Sequence, residues 1–497
     1  MHNLLHNIGA AGPADQRVLE YGARTLTRAE LLRNVEKLAW SFKELELQCV
    51  ALHADNGIDW ILADLACHAL GIRIVPVPLF FSAEQASHTI NQSAAQALIT
   101  DQKNAGSLIN LAAVPGSQHF FSGDMTLYAI DTDDSARIPA GTQKITYTSG
   151  STGIPKGVCL SAAHQFMVAN ALATTVPGSS PRHLCVLPLS TLLENLAGVY
   201  APLLSGGTVV VPPLSEVGID GSSGLNISTL VNSIDRAQPN TLILVPEMLD
   251  ALTTAAECGW IPSPSLHFVA VGGGKVAPEL LRRARLCNLP AFEGYGLSEC
   301  ASVVTLNVPG GDRAGAVGKP LPHATLSIDN GEIVVSDSEF LGYVNEPDSW
   351  HRGSVRTGDL GHIDDDGFVV VSGRVKNQII TSFGRNISPE WVESELTAGP
   401  LLQQAVVVGD ARPYCVALIY PHSPATTDDQ IIALIQSINQ RLPDYARVLD
   451  WHRMAEPNTP QNGLLTASGK PKRADIENAY RLQIDGMHGT RQEVANQ

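Results

Sequence analysis

Charge is scarce in this chain: Asp, Glu, Lys and Arg supply 16% of its 497 residues, against roughly a quarter in an ordinary soluble domain. A basic surplus is also missing, since 49 acidic residues face 33 basic ones for a net charge of −16. Nucleic acid is therefore disfavoured as a main partner, because backbone phosphates need a basic surface to neutralise them. The imbalance is uneven, with 12 basic and 13 acidic residues from Arg374 onward, so the excess acid lies before that point. Cysteine pairs at metal-binding spacing are absent as well. The eight cysteines (49, 67, 159, 185, 258, 287, 300 and 415) contain no CxxC and lie mostly in apolar contexts. That argues against a zinc site and against a disulfide framework, and fits a reducing cytoplasm. The start, MHNLLHNIGAAG, lacks the basic residues and continuous apolar core of a signal peptide. The uncharged run 195–215 is broken by Pro202, Gly206, Gly207, Pro212 and Pro213 into a helix end, a turn and a strand, so no membrane span is expected. Internal repeats are not visible.

What the sequence does contain is glycine in chemically useful places. Thr146 to Gly157 reads TYTSGSTGIPKG, placed between two apolar runs. Glycines let backbone N–H groups turn inward, hydroxyls add donors and acceptors, and Lys156 adds one mobile cation, a combination suited to a polyphosphate. It is not the usual P-loop, in which Gly-Lys is followed by Ser or Thr, because Lys156 is followed by Gly157.

At this length two to four structural units are expected. A capping-box pattern at Thr27 to Glu30 opens a helix over 27–43, and strand-like runs at 49–54, 72–78 and 95–100 alternate with a helical run at 57–71. The alternation resumes at 184–189, 207–213, 241–246 and 267–274, which predicts layered α/β structure. Beyond residue 373 a hairpin-like pair at 405–409 and 414–421 precedes a helix near 427–441. The fold class expected is α/β, with a large N-terminal domain of layered sheets over 1–374 and a small mobile α+β domain over 375–497.

Four further stretches carry chemistry. EGYGLSE (293–299) sets an aromatic ring, Tyr295, beside glycines and ends in the carboxylate of Glu299, suited to a base and a hard metal ion. RTGDLG (356–361) places Asp359 in a tight turn, where it can accept two hydrogen bonds from a ribose diol or simply form an Asx turn. GRVKNQIITSFGRNISPEWVE (373–393) mixes cations, glycines and an apolar alternation, and TASGKPKR (466–473) holds Lys470 on a glycine-preceded loop.

In order and spacing these five stretches resemble the adenylate-forming superfamily, which contains acyl-CoA synthetases, nonribosomal peptide adenylation domains and beetle luciferases. The resemblance covers nearly the whole chain and is greatest to bacterial acyl-CoA synthetases, the fatty acid:CoA ligases. It implies an AMP-forming ligase working in two half reactions: a carboxylate attacks the α-phosphate of ATP to give an acyl adenylate and pyrophosphate, and a thiol then displaces AMP. By this resemblance Thr148, Ser149, Gly150, Ser151, Thr152, Gly153 and Lys156 hold the phosphates. Tyr295, Gly296 and Ser298 border adenine, Glu299 positions Mg²⁺, and Asp359 with Arg374 takes the ribose. GGGK (272–275) looks like the strand end lining the adenine and acyl pocket through Gly272, Gly273 and Gly274. Lys470 is implied as the catalytic cation, Lys376 as the hinge on which the small domain rotates, and Gly384 and Arg385 as the channel for the thiol's pantetheine arm.

The chain departs from the family where LPLSTLLENLAG (187–198) carries Thr191 in place of a common His or aromatic gate, while keeping Glu194. Ser298 replaces a more usual Thr. Pocket candidates are Thr191, Leu192, Ala197, Val245, Met248 and 271–274, small or apolar and without a carboxylate or lysine for an α-amino group. The expected substrates are a medium- to long-chain or aryl carboxylic acid, ATP and CoA. The alternative acceptor is a pantetheinylated carrier protein or an amine.

Overall fold

The computed structural model describes residues 4–495 apart from 104, 110, 115–119, 133–134, 150–154, 179, 222–223, 337–339 and 384. The capping box at Thr27 forms: its hydroxyl accepts from the Glu30 amide, the Glu30 carboxylate accepts from the Thr27 amide at 2.8 Å, and the helix runs Arg28–Glu44. The helix Ile58–Leu70 is buried almost all round, as its apolar sequence requires, and stops at Gly71, whose φ of 69° is a left-handed cap that glycine adopts freely.

Two large sheets carry the N-terminal part. One orders its strands as Lys319–Pro320, Ser302–Leu306, Ala291–Leu297, Phe268–Val271, Thr241–Leu244, Arg182–Leu184, Thr208–Val210, Arg17–Tyr21 and Arg24–Thr27, parallel from Ala291–Leu297 through Arg17–Tyr21. The other runs Phe340–Tyr343, Pro155–Leu160, Lys144–Ser149, Arg73–Pro76, Cys49–His53, Ala97–Thr100, Thr126–Ile130 and Leu111–Ala113. Cys49–His53 and Thr241–Leu244 are buried along their whole length. Covered faces on both sides of a parallel sheet explain why such strands read as unbroken apolar runs.

A four-stranded antiparallel sheet, Thr325–Asp329, Glu332–Ser336, Ser354–Ile363 and Val369–Arg374, ends at the short turn Val375–Asn377. Beyond it a three-stranded sheet, Leu402–Val408, Cys415–Pro421 and Val448–Arg453, packs with Pro389–Leu396 and Asp428–Asn439 around a core of its own. The architecture is thus a large sheet-rich N-terminal domain and a separate α+β C-terminal domain, the α/β class that the alternating pattern predicts.

Two local expectations are corrected. The run 184–189 is strand only to Leu184, because Pro188 and a turn at Ser190 take the chain out of the sheet. Asp359 lies not in a tight turn but inside the strand Ser354–Ile363, which Gly358 bends at a φ of 71° while pairing continues on both sides. Among the described residues no helix is long and apolar enough to cross a membrane. No disulfide forms among the described cysteines, and six of the eight are buried.

Candidate active site

The flanks of the glycine-rich stretch pair as neighbouring strands. Lys144–Ser149 and Pro155–Leu160 pair antiparallel with Thr148 opposite Lys156 and Ser149 opposite Pro155. Gly150, Ser151, Thr152 and Gly153 lie outside the described residues. Lys156 is exposed and donates to Glu346 Oε1 at 2.8 Å, with its ammonium 5.2 Å from the centre of the Tyr343 ring. The Tyr343 hydroxyl in turn donates to Glu299 Oε1 at 2.6 Å, so one tyrosine joins the hairpin lysine to the carboxylate that ends GYGLSE. Burial first, and Glu299 second, push the Tyr343 hydroxyl well above its usual pKa, which keeps it a proton donor.

Ala291–Leu297 runs straight into the single turn Ser298–Cys300, which places Tyr295 and Glu299 on consecutive elements. Gly296 is obligatory, because a Cβ there would stand 1.6 Å from the Ser302 carbonyl oxygen. Tyr295 donates its hydroxyl proton to Asp359 Oδ2 at 2.7 Å, and Arg374 Nε donates to Asp359 Oδ1 at 2.7 Å. Asp359 is buried and Arg374 is exposed. Tyr295, Asp359 and Arg374 therefore form one cluster from three segments.

Lys470 reaches the same cleft from the C-terminal domain. Its loop is closed by the Thr466 amide donating to the Lys470 carbonyl at 2.8 Å and by the Lys470 amide donating to Thr466 Oγ1 at 3.0 Å. The residue is exposed, yet protein crowds its ammonium enough that desolvation is the first cause lowering its pKa. Arg374 acts in the same direction, while Asp359, Glu299 and Glu247 oppose it. A cation from the C-terminal domain thus lies within the field of the carboxylates of two motifs.

The strand end Gly272–Gly274 meets the proposed pocket wall directly. Gly273 has a φ of 84° and a Cβ on it would lie 3.7 Å from Val245, while one on Gly274 would lie 3.3 Å from Pro246. Thr191 is partly exposed and its hydroxyl is spent locally, donating to the Pro188 carbonyl at 2.6 Å. Leu192 is buried in the main core and Glu194 is fully buried, with His183 Nε2 2.9 Å from its Oε1. Of the nine pocket candidates, Thr191, Ala197, Val245, Gly272, Gly273 and Gly274 keep accessible surface, whereas Leu192, Met248 and Val271 are buried. Lys376 is exposed in the turn Val375–Asn377, Arg385 is exposed on the hairpin beyond it, and Gly384 lies outside the described residues.

A magnesium ion fits this arrangement as a single-carboxylate site. Among the described residues the one cluster of three potential metal ligands is the buried His183, Cys185 and Glu194, so Glu299, with one oxygen on Tyr343, belongs to no preformed three-ligand set. Mg²⁺ is ordinarily held by one or two carboxylates together with substrate phosphates and water.

Sequence reasoning missed Tyr343, Glu346 and Glu247, which have no glycine-rich signature around them. It also missed a buried network beneath the site. Lys144 Nζ lies 2.8 Å from Asp64 Oδ1 with both side chains 1% exposed. Asp64 Oδ2 accepts from the Tyr200 hydroxyl at 2.6 Å and from Asn195 Nδ2 at 2.9 Å, and Lys144 also bonds Asn195. Asn195 and Tyr200 belong to the π-helical turn Glu194–Tyr200, so the network ties the start of the glycine-rich hairpin to the segment after Thr191. Asp64, the one carboxylate beyond the first turn of the helix Ile58–Leu70, was the legible signal.

The AMP-binding enzyme model matches residues 7–342, and the AMP-binding enzyme C-terminal domain model matches 376–492. The chain belongs to the AMP-binding enzyme family. Within curated relatives of that family, it is 28% identical over 470 residues to the long-chain-fatty-acid–CoA ligase FadD15 of Mycobacterium bovis, covering 81% of this chain and 78% of that one. It is 29% identical over 422 residues to the 2-succinylbenzoate–CoA ligase of Bacillus licheniformis, covering 80% and 84%. The solved anthranilate CoA ligase AuaEII in complex with anthranoyl-AMP superposes with a TM-score of 0.80 at 20% identity, covering 97% of this chain and 98% of that one. At that identity the superposition speaks for the AMP-binding fold.

Proposed function

We propose that this protein is an ATP-dependent, AMP-forming acid:CoA ligase for a medium- to long-chain or aryl carboxylic acid. The observation that carries this reading is the convergence of Lys470 with Asp359, Arg374 and Glu299, drawn from both domains into one cleft. A lysine cation there can neutralise the charge of an attacking carboxylate and of the five-coordinate α-phosphate, while touching neither the base nor the thiol. The curated relatives, named as CoA ligases of a fatty and an aryl acid, support the reaction class and leave both acid classes in play.

Within that reading the residues divide by what they touch. Thr148 through Thr152 and Lys156 cradle the β- and γ-phosphates; Tyr295, with Gly273, Gly274 and Gly296 around it, borders adenine; Asp359 and Arg374 hold the ribose. Glu299 would hold Mg²⁺, which supplies charge neutralisation on the phosphates. The acid enters between Val245, the glycine strand end and Thr191. Residues 1–374 form the first domain and 375–497 the second, turning at Lys376 so that Lys470 gives way to the Gly384 and Arg385 face for the thiol. The enzyme is placed in the cytoplasm, where ATP and CoA are available.

The test is direct: the protein is incubated with ATP, Mg²⁺ and a panel of fatty and aryl acids, with CoA, a pantetheinylated carrier protein or simple amines as acceptors. AMP release with an acyl-CoA product is the expected result. Release of AMP with product only on the carrier or the amine would move the acceptor assignment, and no acid-dependent AMP release would overturn the reading.

A further inference from the structure

The turn 343–346 brings a carboxylate to the hairpin lysine. Its position is fixed by backbone. Tyr343 pairs with Val158, and the Val344 amide donates to the Gly157 carbonyl at 2.9 Å. Asn345, at a φ of 61°, exchanges two bonds with Arg137: its side-chain oxygen accepts from the Arg137 amide at 2.7 Å, and its amide donates to the Arg137 carbonyl at 2.9 Å. A turn pinned on both sides delivers Glu346 to Lys156 at 2.8 Å while the Tyr343 ring lies beneath the same ammonium. The two charged side chains are 50% and 45% exposed, so the pair is screened and weak. A polyphosphate, with several charges and backbone donors to help it, can displace such a partner.

We propose that Glu346 is a built-in competitor for the phosphate-binding lysine, holding Lys156 in the empty site and released when ATP arrives. This rests on the reading of Lys156 as a phosphate ligand. The contact sets a threshold for nucleotide: each ATP that binds must first break the Lys156–Glu346 pair, so apparent affinity is lower than the loop alone would give. Tyr343 makes the exchange local, because its ring stays under the ammonium and its hydroxyl stays on Glu299 while the carboxylate leaves.

Glu346→Gln, Lys156→Ala and the double variant are compared by KM for ATP in acid-dependent pyrophosphate exchange and by calorimetric titration with ATP. Glu346→Gln is expected to lower KM and Kd for ATP about two- to fivefold, the range of a screened pair. The gain should shrink when ionic strength is raised to about 0.5 M. Lys156→Ala should raise KM, and adding Glu346→Gln to it should give no gain. If Lys156→Ala raises KM while Glu346→Gln leaves it unchanged or raises it, the competitor role is overturned and the phosphate reading stands. If Lys156→Ala leaves ATP binding untouched, the phosphate reading fails and the competitor role fails with it.

Discussion

Asp359 and Arg374 face each other across the last antiparallel strand pair before the turn at Val375, with Arg374 Nε 2.7 Å from Asp359 Oδ1. Tyr295 takes the other carboxylate oxygen, so the side chain is held in one orientation before any nucleotide arrives. Asp359→Asn keeps the shape and an acceptor but removes the charge. Charge-assisted hydrogen bonds contribute about 1.5–3 kcal/mol each, so ATP binding should weaken about tenfold or more. The variant should also lose most of the preference for ATP over 2′-deoxy-ATP, measured by titration calorimetry. Native-like discrimination in the variant would remove Asp359 from the ribose.

Glu293, two residues before Tyr295 on the same strand, is buried, and desolvation raises its pKa from 4.5 to about 7 against the opposing charge of Lys275 and the Val276 amide. Because the folded pKa is raised, its contribution is fully present below about pH 4.5 and is lost as pH climbs through about 7. Glu293→Gln removes that titration. Relative to the native protein it should gain roughly 1–3 kcal/mol between about pH 4.5 and about pH 8, read from urea unfolding at both ends. A difference between the two proteins that does not change with pH would refute the assignment.

The buried Lys144–Asp64 pair gives a stability prediction. Burial lowers the Lys144 pKa and Asp64 opposes that shift, so the lysine depends on its partner to stay charged. Asp64→Asn should cost about 3–5 kcal/mol in denaturant unfolding, because it strands a buried cation. Replacing both residues by leucine and methionine should recover most of the loss. An Asp64→Asn protein as stable as the native one would show that solvent reaches Lys144.

Much of this was legible in the sequence because glycine, proline and periodicity act locally. The capping box at Thr27, the stop at Gly71, the hairpin after residue 402 and the glycine strand end at 272–274 each follow from backbone rules. The cleft motifs could be read for the same reason: a loop that must approach a ligand closely needs glycine, as at Gly296. Partners brought together by tertiary packing carry no such mark. Tyr343 meets Glu299, and Glu346 meets Lys156, only once an edge strand lies against the hairpin. Asp359 looked like a turn residue because its flanking glycines resemble one, whereas sheet pairing on both sides overrides the local preference.

The turn Val375–Asn377 offers a test of domain rotation. Lys376 is exposed and is none of the proposed nucleotide ligands, whereas Gly373 packs so close to Ser388 that a Cβ would lie 2.6 Å from it. Lys376→Pro fixes φ near −65° and removes one backbone donor. Adenylation should survive, since Lys470 already faces the cleft, while transfer to the thiol should fall by orders of magnitude and acyl adenylate should accumulate on the enzyme. Unchanged transfer would mean the second step proceeds without rotation at this turn.

The most direct measurement compares both half reactions of Lys470→Ala on one preparation, because the account assigns this cation to the attack on the α-phosphate alone. Acid-dependent exchange of labelled pyrophosphate into ATP should nearly vanish, while thioester formation from supplied acyl adenylate and CoA should proceed close to the native rate. Exchange that persists, or a loss of both half reactions together in a protein that still binds ATP, would contradict it.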